Sequence, residues 1–294
     1  MQSDNCEQEN IVKTRNVFNN SEIESFAVSG KVGIVATVNS EGKPHLSLLT
    51  SIQAKDEKHL TIGEFCIGES KRNMQNDPKV SWLIMSLDRK YWRGKALWTH
   101  LKKEGEDYEI YNMQPMFRYN SYFGINTVHY LDLIETSESA PLPLPKIIAS
   151  SLLTRLGNIL KAGNPPQAEV MNHFTRAMFD KLDNLKFAAY VAEDGYPRII
   201  PLMQMISKGT DRLSFSTLAF GDELKEIPQG ADIALYAMTM QMETVLVRGI
   251  FKGYSRSRVI EIGNIDIDYA YNSMPPGHGQ IYPPKPIEAI EDFK

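Results

Sequence analysis

The sequence predicts a mainly β protein: two small barrels with a few flanking helices, fused in tandem as a pseudo-dimer within one chain. The first observation behind this is an internal repeat. The stretch from Gly30 to Gly94 recurs from about Leu185 to Gly249, with Gly42 and Gly195 standing 153 apart (195 − 42). Pro44 and Pro197, Leu60 and Leu213, Gly68 and Gly221, and Met85 and Met238 keep that offset of 153. Arg93-Gly94 and Arg248-Gly249 differ by 155, so a turn has gained two residues. The second observation is local pattern: each copy divides into short runs rich in Val, Ile and aromatics, separated by Gly, Asn, Asp and Ser, as consecutive strands do. The third is size. A chain of 294 residues suits two domains of ~100–200 residues each, and two copies are too few for a solenoid. One small barrel leaves a face in need of cover, and two fused copies cover each other through a self-complementary surface.

Taken in order, residues 1–10 are polar and read as disordered, and Ile11 to Phe26 reads as a short helix with a second turn starting at Asn20 or Ser21. Val32 to Val38 is a strand entering a hairpin at Asn39-Ser40-Glu41-Gly42, and His45 to Gln53 is its return. His59 to Gly63 is a third strand. Ser70 to Asn76 is a helical turn stopped by Asp77-Pro78. Val80 to Ser86 and Tyr91 to His100 follow as strands, Lys102 to Pro115 as a charged helix, and Asn126 to Ile134 as a closing strand. The run Ala140 to Pro145 is too dense in proline for a helix or a central strand. Lys146 to Lys161 has helical apolar spacing. The domain boundary falls here: residues 1–139 form the first barrel, 140–166 a Pro-rich and helical linker, and 167–294 the second barrel. Ala168 to Leu182 corresponds to the opening helix, strands resume at Lys186, and Arg258 to Tyr271 is the last. Met238, Met240 and Met242 alternate as packed strand residues, and Pro275 to Pro286 reads as an extended arm.

Composition bounds the function. Apolar residues make up 42%, charged residues 23%, and the formal net charge is −4. With no block of like charge, neither nucleic acid nor a membrane surface is expected as partner. No apolar run approaches the ~20 residues of a spanning helix, and the first ten residues do not read as a secretion signal, so a cytoplasmic protein is expected. Cys6 and Cys66 show no disulfide or metal spacing, and the six histidines contain no HExxH, so no metal site is expected. His129, within VHYLDL, reads as a hydrogen-bonded strand residue. Trp82, Trp92 and Trp98 lie in or beside strands where aromatics pack, although Trp92 beside Arg93 would also shield a planar ligand. No catalytic triad, P-loop or GxGxxG is present.

The pieces GIVATVNSEGKPHLS, LTIG, ESKRNMQNDPKVSWLIM and WRGKALW, in that order, resemble the FMN-binding split-barrel superfamily, the pyridoxamine 5′-phosphate oxidase-like proteins. The likeness covers most of Lys31 to Glu135 and, more weakly, Leu185 to Gly253. It implies FMN in a groove between two barrels, its phosphate held around the short helix by Ser70, Lys71, Arg72 and Asn73. A helix N-terminus with hydroxyls and cations suits a phosphate. Many relatives carry a cation two places before Lys71, where this chain has Glu69. The resemblance also implies that Leu49, Thr50 and Ser51, with Thr61, Ile62 and Gly63, line the ring, with Trp92 beside it. The second copy has Asp222 and Glu223 opposite Glu69 and Ser70, and carboxylates repel phosphate. It is therefore expected to hold no second phosphate, while Ser214, Ser216 and Thr217 touch the ring from across the interface. The implied function is a flavin-dependent oxidoreductase acting on a small molecule, with NAD(P)H as a possible donor and no catalytic residue assigned. It would not be pyridoxamine 5′-phosphate oxidase itself, whose substrate-phosphate motif has no counterpart after Pro275. The alternatives are a non-catalytic flavin, haem or nucleotide module, or a scaffold without cofactor. FAD or a deazaflavin in place of FMN, and further pairing into a homodimer, stay open.

Overall fold

The computed structural model describes residues 14–64, 66, 68–115, 117–118, 124–160, 166–257, 260–273 and 279–285. The first half opens with β1 (Thr14–Arg15), α1 (Asn20–Ala27), the hairpin β2 (Lys31–Val38) and β3 (Pro44–Leu48), then β4 (Gln53–Ala54) and β5 (His59–Glu64). It continues with α2 (Glu69–Asn76), β6 (Lys79–Ser86), β7 (Lys90–Lys102), α3 (Glu106–Asn112), β8 (Thr127–Ser137) and β9 (Ala140–Pro141). After α4 (Leu144–Leu160), the second half runs α5 (His173–Asp180), β10 (Leu185–Val191), β11 (Pro197–Pro201), β12 (Ile206–Ser207) and β13 (Arg212–Ser216). It closes with α6 (Gly221–Lys225), β14 (Asp232–Met238), β15 (Thr244–Ser257), β16 (Ile260–Asn272) and β17 (Gly279–Tyr282).

The two halves have one topology. The sheet order β3-β2-β6-β7-β8-β5-β4 in the first is matched, strand for strand, by β11-β10-β14-β15-β16-β13-β12 in the second. All of these pairings are antiparallel. The repeat thus folds as two tandem split barrels. Gly42 and Gly195 turn the first hairpin of each half at φ +78° and +79°, in the left-handed region that glycine enters freely. Gly94 and Gly249 recur because a carbonyl crowds each: an added Cβ would stand 2.0 Å from Glu135 O or from Asp266 O. The two-residue gain is the turn joining β14 to β15, which runs over 239–243 where the first half uses 87–89.

Each barrel has its own core. In the first, Phe18, Phe26, Ile62, Met74, Trp82 and Trp92 pack together; in the second, Phe179, Leu213, Phe215, Leu235 and Phe251 do so. A third cluster joins the halves. Ile34, Ala36, Leu46, Leu83 and Met85 meet Phe187, Ala189, Ile199, Tyr236 and Met238, and each residue in the first set has its repeat equivalent in the second. That is the isologous interface of a two-fold dimer, made inside one chain.

Several boundaries depart from the sequence reading. The return strand drawn unbroken from His45 to Gln53 breaks after Leu48, where Leu49 N donates to Gly33 O at 2.7 Å and the chain bends. The opening helix starts only at Asn20, because Asn19 and Glu22 form a reciprocal capping box, while Thr14 and Arg15 pair with β8. The helix drawn over Ala168 to Leu182 shortens to α5, whose start is set by the Asn172 side chain accepting from Thr175 N. Met240 and Met242 are exposed in the 239–243 turn, leaving only Met238 packed. The C-terminal arm adds a strand, β17, to β16. Residues 1–13 and 286–294 lie outside the described residues, and with them the disorder expected for 1–10. Among the described residues, no helix is long and apolar enough to cross a membrane.

Candidate functional site

The way α2 docks onto the first barrel, through Met74 and polar side chains, divides its four candidate phosphate ligands. Ser70, Asn73 and Met74 share the buried face. Ser70 Oγ donates to Ser47 Oγ at 2.6 Å, and Asn73 Nδ2 donates to Thr37 Oγ1 at 3.1 Å. Lys71 is turned inward: its Nζ donates to Cys66 O at 3.3 Å, and burial lowers its pKa against the opposing pull of Cys66 and Glu64. Arg72 points to solvent and pairs with Glu69 at 3.2 Å. Of the four, Ser70 and Asn73 each join a strand hydroxyl, Ser70 on β3 and Asn73 on β2. Gly68 caps the helix without a side chain, so its first amides have no side-chain cap.

The ring-lining set is distributed differently. Thr61 and Gly63 face α3: Thr61 Oγ1 lies 3.0 Å from Tyr111 OH, and an added Cβ on Gly63 would stand 3.0 Å from the Tyr111 ring. Leu49 and Ile62 face the barrel core. Thr50 and Ser51 are half-buried at the bend after β3, with Ser51 Oγ donating to Gly63 O at 2.7 Å and Ser51 O accepting from Tyr111 OH at 2.8 Å. Trp92 is a core residue, 5.3 Å from the Phe26 ring. The residues expected from across the interface are corrected too. Ser216 sits under α4, its N–H donating to Thr154 Oγ1 at 2.9 Å and its hydroxyl 2.5 Å from Ser150 Oγ. Thr217 bonds Glu261, and Ser214 is buried beside Asn264. They occupy the second half's own version of the β5 face, because the fold repeats with each strand's environment.

Near the start of α2 the second half brings β16, whose Tyr269 and Tyr271 both sense the charge of Glu69. His45 Nε2 lies 3.2 Å from Ser47 Oγ, and the His45 ring meets Tyr271 edge to face at 5.5 Å. Tyr271 stacks on Tyr269 at 6.4 Å, and the Arg248 guanidinium lies 3.9 Å over the Tyr269 ring. Burial raises the pKa of both phenols and Glu69 of α2 raises them further, while the charge of Arg248 and its hydrogen bond pull Tyr269 the other way. Arg248 Nε has no hydrogen-bond partner, and no carboxylate among the described residues forms an ion pair with it. Asp268 senses its charge without pairing. Tyr269, Tyr271 and Arg248 were missed in the sequence because strand residues carry no motif. The recurrence of Arg93-Gly94 as Arg248-Gly249 was the only signal available.

Beneath α2 lies a buried polar chain. Trp98 Nε1 donates to His129 Nδ1 at 3.1 Å, which fixes the proton on His129 Nε2, and this donates to Glu64 Oε2 at 2.5 Å. His129 is a hydrogen-bonded strand residue, and the described residues contain no group of three or more His, Cys, Asp or Glu arranged to hold a metal.

No family model matches the chain, and no curated protein does. Solved structures similar to it include HupZ from Group A Streptococcus, at 18% identity over 40% of this chain and 92% of that one, TM-score 0.34. A putative pyridoxamine 5′-phosphate oxidase from Lactobacillus delbrueckii aligns at 19% identity over 42% and 96%, TM-score 0.34. An FMN-binding protein from Syntrophomonas wolfei aligns at 12% identity over 42% and 83%, TM-score 0.34. Each spans about two fifths of this chain, and the likeness is one of fold.

Proposed function

We propose that this protein binds one FMN per chain in the groove between α2 of the first half and β15–β16 of the second, and serves as a flavin-dependent oxidoreductase for a small molecule. The observation that carries the reading is Arg248, a half-buried guanidinium without a carboxylate partner that lies over Tyr269, whose phenol senses Glu69 at the start of α2. A cation, hydroxyls and helix-start amides form the donor set a phosphate takes. Tyr269, Tyr271 and His45 add flat, uncharged surface suited to an aromatic ring. The residues fit the group.

The bound flavin would supply the hydride chemistry. The chain's part is binding and orientation: Arg248 and Ser70 hold the anionic end, while the tyrosines, kept protonated by raised pKa values, exclude water and add no charge. The test is the spectrum, and the flavin-to-chain ratio, of protein purified and then mixed with FMN. A ratio of one, with bleaching by NADH or NADPH and turnover with an acceptor, supports the reading. Colourless protein that ignores FMN rejects it, and flavin binding without turnover reduces it to a carrier or sensor.

A further inference from the structure

The repeat provides an internal control for the groove. Ser70 of α2 and Glu223 of α6 are equivalent (223 − 70 = 153), and Arg248 and Arg93 are equivalent once the two extra turn residues are counted (248 − 93 = 155). Each arginine lies in the equivalent strand of its half, and Arg93 of β7 reaches α6 of the other half. Arg93 meets a carboxylate there: its Nη1 donates to Glu223 Oε2 and, at 3.2 Å, to Ile199 O. The side chains are 16% and 23% exposed, so the pair is largely withdrawn from water. The repeat puts Ser70 where Arg93 finds Glu223, and Arg248, lying over the Tyr269 ring, keeps an unpartnered Nε. Arg93 therefore already holds an anion, whereas Arg248 has no carboxylate partner, the nearby Glu69 being paired with Arg72.

We infer that the α6 groove is a second anion site of the same plan, closed by the chain's own Glu223 acting as a built-in ligand to Arg93. Removal of that carboxylate leaves a site for inorganic phosphate or a phosphate monoester. The inference rests on the reading that Arg248 serves the cofactor phosphate. Its charge logic is simple. With Glu223 present, Arg93 is neutralised, and an incoming phosphate meets that carboxylate together with Asp222 one residue away. With a serine there, a half-buried guanidinium has no counter-ion, which is the condition at Arg248. One chain would thus hold one anionic cofactor because its second seat is filled covalently.

The experiment isolates the second groove. Arg248→Met removes the first site; inorganic phosphate is then titrated by calorimetry at constant ionic strength, with chloride as control. R248M alone should show no saturable phosphate binding. E223S/R248M should gain one site per chain, with affinity at least about tenfold above R248M, and R93M/E223S/R248M should lose it again. If E223S/R248M binds phosphate no better than R248M, or the triple variant keeps the gain, the inference is overturned. Should E223S fail to fold, E223Q/R248M removes the charge while keeping the shape and must show the same gain. The two readings fail separately. Wild type that ignores FMN sinks the first groove, whereas an absent gain in E223S/R248M sinks the second.

Discussion

Arg248 and Ser70 make the sharpest claim about single side chains. Arg248→Met should weaken FMN retention at least tenfold, and Ser70→Glu, which copies the second half, should do the same by giving Arg248 an internal partner. FMN titration followed by fluorescence checks both, and unchanged affinity in both would move the anionic end elsewhere. Lys71→Ala should weaken retention less than Arg248→Met, because Lys71 faces the Cys66 carbonyl. Lys186 carries a pH prediction. It is buried, donates at 3.0 Å to Met203 O and Met205 O, and burial pushes its pKa down to about 7 from 10.5. Between those values the unfolded chain holds a proton that the folded chain has released, so stability rises with pH through that window. Lys31, lowered to about 8 by burial, acts in the same direction. The buried tyrosines, with raised pKa values, oppose the rise above about pH 10, near their ordinary value. Urea unfolding at pH 7 and pH 9 should show the increase in wild type and a flatter response in Lys186→Met; equal slopes would refute the assignment. The histidine reading was legible in the sequence, since a lone His in an alternating strand tends to satisfy itself. Its Trp98 and Glu64 partners come from other strands and were not.

Among the elements, helix starts were only partly readable. Asn19 and Glu22 stood in plain view, yet the drawn helix ran back to Ile11, because apolar spacing continued through a segment that the fold pairs, at Thr14 and Arg15, with β8. Asn19→Ala removes the cap and should cost about 1 kcal/mol, read as a shift in the urea midpoint at unchanged slope; no shift would mean that the Arg15–Glu22 ion pair alone holds the start. The strand pattern was largely correct because alternation and turn residues are local signals. The break after Leu48 was not, since it is imposed by Gly33 on a different strand, where a side chain would collide with Leu49 O at 2.4 Å. The linker helix was found, but not its role: Ser150, Thr154 and Gly157 press it onto β13 and β16, as α3 presses Tyr111 onto β5. That is why Ser216 is closed beneath a helix.

In the whole molecule, the shared cluster predicts that the halves unfold as one cooperative unit. Phe187, fully buried between the barrels, should cost about 3–5 kcal/mol when changed to Ala, with both halves melting in a single transition by calorimetry. Two separate transitions in wild type would show that the interface couples them weakly. The sequence by itself determined the duplication, the strand order and the asymmetry between Ser70 and Glu223, because offsets, alternation and charge are written along the chain. Only the tertiary structure decided which side chains reach the groove. Facing is set by how each helix and strand docks, and Tyr269 and Tyr271, with Arg248 over the first, come near Glu69 of α2 through a two-fold packing of strands roughly two hundred residues away in sequence. No local pattern encodes such a meeting, since it follows from burying the apolar faces of both halves against each other.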